Sequence, residues 1–226
     1  MKSINYIIFL LWFPFLLSAQ GIYRIKGEFS IKSKENGFSQ LVMGNFYYDM
    51  NSEQIIYRNY FPEKETWVTS DTTLYHIIND EVVSTQAIPN LSKFSIFHLA
   101  LTRDLKNFGI DDKSFLLKKV EEDQGMVIST YEPNSKYLKF DGRIMLSMKD
   151  NKLFGIVFFN GSGEIVKKQF FENYDVQKGL PFPGKITEIT YVNGQEVYKV
   201  TSYKNIEYNA IEPDNLYHFD PGQLLP

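Results

Sequence analysis

Apolar and polar side chains alternate with a period of two over much of this chain. Tyr23, Ile25, Gly27, Phe29 and Ile31 interleave with Arg24, Lys26, Glu28, Ser30 and Lys32. Phe140, Ile144, Leu146 and Met148 interleave with Asp141, Arg143, Ser147 and Lys149; Tyr198, Val200, Ile206 and Tyr208 continue the theme less cleanly. Successive strand residues point to opposite faces, so such runs predict strands with one apolar and one wet face. Turn signals cut the runs at short intervals: Asn36-Gly37, Asp150-Asn151, Asn160-Gly161 and Asn193-Gly194. These pairs tolerate the positive φ of tight hairpins, so neighbouring strands are expected to be antiparallel. About ten short strands in series predict a meander that curls on itself. The run LFGIVFF at 153–159 lacks alternation and is expected to be covered on both faces.

Residues 91–105 break the period. Leu91, Phe94, His98, Leu101 and Leu105 recur at helical spacing. Asn90 or Ser92 suits the helix start and Gly109 its end. Ile96, Phe97, Leu99 and Ala100 widen the apolar face beyond a normal stripe, so this helix is expected to be buried on more than one side, in the open mouth of a curved sheet. A weaker helix candidate covers 112–119, where Phe115-Leu116-Leu117 reads equally well as strand. The expected fold is dominated by β structure: a curved antiparallel sheet, an open half-barrel, with one or two helices on its concave face.

The N-terminus reads as an export signal over 1–20. Lys2 supplies the charge, 7–17 the apolar run, and Ser18-Ala19-Gln20 the small residues of a cleavage point near Ala19 or Gln20. The apolar run is short for a membrane helix, which needs about 20 residues; an uncleaved N-terminal anchor is the alternative. The expected location is the periplasm. No repeat, linker or composition shift follows, so 21–226 reads as one domain, and about 205 residues suffice for a sizeable core.

The absence of cysteine excludes a disulfide framework, a thiol nucleophile and a lipid-acceptor cysteine. A balance of 24 basic and 27 acidic residues, net charge −3, argues against a nucleic-acid partner. The 19 Phe and 15 Tyr favour a β-rich fold, because aromatic side chains fit a pleated, half-buried surface.

Candidate chemistry is sparse. His76, His98 and His218 lie far apart without metal-ligand spacing. Gly161-Ser162-Gly163 reads as a hairpin turn rather than a nucleophile elbow. Asp111-Asp112 and Glu121-Glu122-Asp123 fall in loop-like context, without the burial that tunes an acid or base. No glycine-rich phosphate loop precedes a helix. No catalytic residue, metal or cofactor is expected. The candidate lining of an apolar cavity is Phe46, Tyr48, Tyr57, Trp67, Phe94, Phe97, Leu101, Ile144 and Leu146. The same side chains serve equally well as an ordinary packed core. The difference is whether the concave face is filled by its own residues.

The stretch 44–75 resembles the core of the bacterial outer-membrane lipoprotein carriers, the LolA-like family. Gly44, Phe46 and Tyr48 match its Gly-x-aromatic strand, and Tyr57 with Pro62 and Glu63 the next strand and turn. Val68, Ser70, Asp71, Leu74 and Tyr75 match the strand and turn after that. Near the other end, 180–187 (LPFPGKIT) resembles the lead-in to the family's late hairpin, 200–209 its return strand, and Phe219-Asp220-Pro221 its closing segment. The resemblance implies a monomeric, non-enzymatic carrier that holds acyl chains or lipoproteins for delivery to the outer membrane, with envelope transport proteins as further partners. Residues 91–105 would be its lid or plug.

Two departures matter. The carriers begin with an amphipathic helix, whereas here the first strand closely follows the expected cleavage site. Proteobacterial carriers place a lid-closing arginine at the turn near Met50, and none is close here. Acyl binding is therefore better supported than hand-over between partners. Two rival readings stand beside it. One is a cell-envelope structural or interaction module with a packed, ligand-free sheet. The other is a lipid-modifying enzyme, which needs a clustered nucleophile and base.

Overall fold

The computed structural model describes residues 21–35, 37–90, 92–134, 142–192 and 194–223. The first half of the chain supplies β1 (Arg24–Glu35), β2 (Phe38–Asp49), β3 (Gln54–Phe61), β4 (Glu65–Ser70), β5 (Thr73–Ile78) and β6 (Glu81–Ala87). A short helix, α1 (Ile96–Leu101), follows. Next come β7 (Phe115–Asp123), β8 (Met126–Pro133), β9 (Ile144–Lys149) and β10 (Lys152–Phe159). The last strands are β11 (Ile165–Gln177), β12 (Leu180–Val192) and β13 (Gln195–Tyr208).

The thirteen strands of the described residues form one open sheet in the order β6-β5-β4-β3-β2-β1-β13-β12-β11-β10-β9-β8-β7. The chain starts in the middle, runs outward to β6, crosses by way of α1 to the opposite edge at β7, and returns to pair β13 with β1. Every other connection is local, as the turn signals imply. Asp150 and Asn151 take φ of 49° and 59° between β9 and β10, and Asn79 and Asp80 take 52° and 62° between β5 and β6. Asn160 Oδ1 accepts from the backbone N–H groups of Ser162 and Glu164, so Gly161-Ser162-Gly163 is the β10–β11 turn. Asn36, Asn193 and Phe140 lie outside the described residues.

Three expectations are corrected. The helix expected over 91–105 is only six residues long, preceded by a 3₁₀ turn at Ser92–Phe94. Ser95 caps it, its hydroxyl accepting from His98 N at 3.2 Å. Arg103 at φ 63° then ends it, so the apolar residues beyond 101 pack from turns rather than from a helix. Of the two readings of 112–119 the strand is the one found, from Phe115 onward as β7, and the acidic run Glu121, Glu122 and Asp123 lies on that strand rather than in the loop expected for it. Among the described residues, the run 153–159 packs into a core cluster on its inner face alone. A bulge between Leu153 and Gly155 brings both Leu153 and Ile156 to the inner face, and Phe154 turns outward beside Phe170.

The inner, concave face carries most of the core. Ile25, Phe29, Phe46, Tyr48, Ile55, Phe182, Ile206 and Tyr208 gather around Phe97, Ala100 and Leu101 of α1. A second cluster joins Leu99 and Leu105 to Ile144, Leu146, Leu153, Ile156 and Phe171. Each such side chain contributes roughly 1.5–3 kcal/mol by leaving water, so α1 is fixed by the two clusters it joins. The outer face holds a smaller cluster, Ile56, Val68 and Ile77, packed by Phe219 of the C-terminal segment.

Candidate ligand cleft on the inner face

Beside the second core cluster the inner face is not filled. A cleft of about 670 Å³ lies between β9–β11 and the connection from α1 to β7. Ile144 of β9, Phe158 of β10 and Val166 of β11 line it from the sheet; Phe94, Phe108, Gly109, Ile110 and Phe115 line it from the connection. Asp111, Ser114 and Asn160 are its polar rim. Small-molecule pockets span roughly 300–1,000 Å³ with mostly apolar walls, and this cleft fits that description.

Local chemistry shapes the connection. Phe108 is held at φ 52°, placing its ring 6.1 Å from Phe158 and 5.9 Å from Phe171. Gly109 follows at φ 68°; a β-carbon there would come within 3.1 Å of Leu99 and 3.2 Å of Phe94. Glycine is thus favoured by the backbone, and any β-carbon would have to push the Leu99 and Phe94 side chains aside. Glycine lets Phe94, which stays 52 % exposed, lie against the connection at the cleft mouth. Asp111 ties the far end, accepting from Lys113 N at 2.7 Å and Ser114 N at 3.0 Å, while the Ser114 hydroxyl donates at 3.1 Å. Those backbone hydrogen bonds hold the Asp111 carboxyl below its usual range. Its bonds serve the turn, so the cleft wall gains rigidity rather than a free acid.

Of the nine expected lining residues, the structure brings Phe94 and Ile144 to this cleft. Phe46, Tyr48, Phe97 and Leu101 are packed in the first core cluster, with Tyr57 against it. Leu146 belongs to the second cluster. Trp67 stands on the β3–β5 wing, stacked on His76 with centroids 3.9 Å apart. Phe108, Ile110, Phe115, Phe158 and Val166 were not among the nine. A signal for two of them is present in the sequence: Phe108-Gly109 marks a turn just past an over-apolar segment, and Phe158 is the penultimate residue of the LFGIVFF run.

Two of the three histidines have ring partners. Glu65 lies 2.6 Å from His76 Nε2 and accepts from Asn59 Nδ2 at 2.8 Å. Burial alone would raise the Glu65 pKa, but hydrogen bonds from Trp67, Asn59 and His76 leave it lowered. His98 Nδ1 lies 2.7 Å from the Tyr48 hydroxyl. Burial lowers the His98 pKa and raises that of Tyr48, which favours a neutral pair at the helix. His218 donates its backbone N–H to Asp214 O in a C-terminal turn. Among the described residues no group of three His, Cys, Asp or Glu is placed to hold a metal ion, and no helix is long and apolar enough to cross a membrane.

No family sequence model matches the chain, and no curated protein matches it by sequence. Solved structures do. A LolA superfamily protein of Nitrosomonas europaea superposes with TM-score 0.59 at 12 % identity, over 87 % of this chain and 90 % of that one. A DUF1329 family protein of Desulfovibrio piger gives 0.62 at 13 % identity, over 92 % and 94 %. A structure assigned as an outer membrane lipoprotein-sorting protein domain, from Vibrio parahaemolyticus, gives 0.59 at 10 % identity, over 87 % and 89 %. The likeness of fold spans 87–92 % of the chain, and the chain has a LolA-like fold.

Proposed function

We propose that this chain is an exported, non-enzymatic protein of the periplasm that binds lipid acyl chains, or the acyl chains of lipoproteins, and shields them during delivery towards the outer membrane. The observation that carries the reading is the open apolar cleft between the α1–β7 connection and strands β9–β11. A packed interaction module would need the inner face filled. Two core clusters fill much of it, and the cleft is the portion left open. An acyl chain suits such a site because each buried CH₂ contributes about 0.8 kcal/mol without directional contacts. The LolA-like fold supports the reading, since two of the similar structures are a LolA superfamily protein and a lipoprotein-sorting domain. Residues 1–20 act as the signal on this account, and 21–226 as one lipid-binding unit working as a monomer, with envelope transport proteins as its further partners.

On this reading residues 91–105 supply the plug and, through Phe94, part of the mouth, with the following turn completing the wall. Phe97, Leu99, Ala100 and Leu101 are buried, which supports a plug rather than a lid for α1. Phe94 and residues 108–111 form the cleft's mouth and wall. The test is native mass spectrometry and solvent extraction of the purified protein, beside Val166→Trp, which fills the cleft from the sheet. Co-purifying acyl species that Val166→Trp loses, while both proteins unfold cooperatively, support the reading. Clean apo masses for both, with no uptake of a fluorescent fatty acid, overturn it and favour the packed interaction module.

A further inference from the structure

The same inner face carries a charged cluster next to the cleft. Lys167 of β11 is the cross-strand partner of Phe158, which lines the cleft, and follows Val166, which also lines it. Directly opposed residues on one sheet face have β-carbons about 5 Å apart, so the Lys167 stem borders the apolar wall. Gln169, Glu188 and Lys199 continue in register across β11, β12 and β13. Glu188 accepts from Lys167 Nζ at 2.7 Å, Lys199 Nζ at 2.7 Å and Gln169 Nε2 at 2.7 Å. Its side chain is 13 % exposed, whereas the lysines are 36 % and 45 % exposed. The carboxylate is therefore enclosed and the ammonium groups reach solvent. Each ammonium has three N–H donors and uses one here, so donors remain and the cluster carries one net positive charge. Gln169 Oε1 is buried without a partner, so the cluster's polar groups are not all satisfied.

We infer that Lys167 and Lys199 bind the anionic head of an amphiphile, a carboxylate or phosphate, whose apolar tail lies in the adjoining cleft. This rests on the acyl-binding reading above and adds a head-group class to it. Lysine is a point-charge binder of carboxylate and phosphate. A half-exposed lysine tethered beside an apolar wall meets a head group at the water boundary while the tail enters. Glu188 holds the two ammonium groups in place, and because burial is outweighed by its bonds to Lys167 and Lys199 it stays ionised down to about pH 2, so the net charge persists across working pH.

The experiment compares amphiphiles that share one tail: palmitate, cetyl phosphate, cetyl alcohol and cetyltrimethylammonium. Each displaces a neutral fluorescent probe from the purified protein below its micelle threshold; acetate and inorganic phosphate serve as tail-less arms. The expected result is that the two anions bind about tenfold more tightly than the alcohol, with the cation weakest. Lys167→Gln with Lys199→Gln should erase that preference and leave alcohol binding unchanged. Glu188→Gln removes the competing anion and should widen it. Equal affinity for all four heads overturns the inference while leaving the cleft reading intact. Failure of every amphiphile to displace the probe overturns both. Protection by inorganic phosphate equal to that by cetyl phosphate makes the lysines a free-anion site and overturns the amphiphile proposal.

Discussion

Phe97 of α1 stacks on Phe46 of β2 with ring centroids 4.5 Å apart and planes 21° from parallel. Phe182 and Tyr203 complete the aromatic group around them. The pair ties the connection between the two sheet wings to the centre of the sheet, so Phe97 acts as core. Phe97→Ala should cost about 3–5 kcal/mol, read as a fall in the urea midpoint, and Phe97→Glu should abolish cooperative unfolding. Phe94→Ala, at a half-exposed position, should leave the midpoint nearly unchanged and weaken acyl-probe binding. Equal loss of stability in both would contradict the division between plug and mouth.

Gly109 tests the cleft wall. Alanine there meets a left-handed backbone and two close side chains. Gly109→Ala should cost about 1 kcal/mol from the backbone alone and displace Phe94, lowering probe affinity more than stability. Unchanged affinity would separate Phe94 from the binding site.

The outer face offers an energetic contrast around one arginine. Arg24 pairs with Asp49 at 2.6 Å and with Asp214 at 2.7 Å, but the Asp49 side chain is 7 % exposed and that of Asp214 is 82 % exposed. Arg24 also lies over the ring of buried Tyr217, 4.7 Å from its centroid. Arg24→Ala leaves a buried carboxylate uncompensated and should cost about 3 kcal/mol; Asp214→Ala should cost under about 1 kcal/mol. Thermal melts of the two variants check the ordering.

Glu188 gives the acid behaviour. Its folded-state pKa is lowered from 4.5 to about 2 because the bonds to Lys167 and Lys199 outweigh the effect of burial. A depressed carboxylate stabilises the fold in full above the unfolded value, and that stability is lost as pH falls through the folded value. The gap between the protein and Glu188→Gln should hold steady above about pH 5 and close between pH 4.5 and 2. Allowing for solvent screening at the exposed lysines, the gap is about 1–2 kcal/mol. A gap independent of pH would contradict the ion-pair geometry.

The fold was legible because its signals are local. Ile25 and Phe29 alternate with polar neighbours, and Asp150-Asn151 encodes a hairpin within two residues. Gly44, too, has a local physical reason: a β-carbon there would lie 2.4 Å from the Arg58 carbonyl oxygen on β3. The cleft was less legible because it depends on what packs across 50 residues or more. Phe46 and Phe158 are alike in sequence context; one meets Phe97 and the other faces the opening. The one local sign of the bulge that turns Ile156 inward is Gly155 within the strand. The helix is shorter than its apolar run because apolar density reports burial, whereas only period reports helix. Leu105 is buried from a turn rather than a helical face.

Photolabelling with a diazirine fatty acid, mapped by peptide mass spectrometry, locates the bound acyl chain. Label confined to Phe94, to residues 108–115 and to residues 158–166 is the result expected of an acyl chain lying in the cleft. Label spread over the exposed apolar residues of β7 and β8, such as Leu117, Val120 and Val127, or no saturable label, would contradict it.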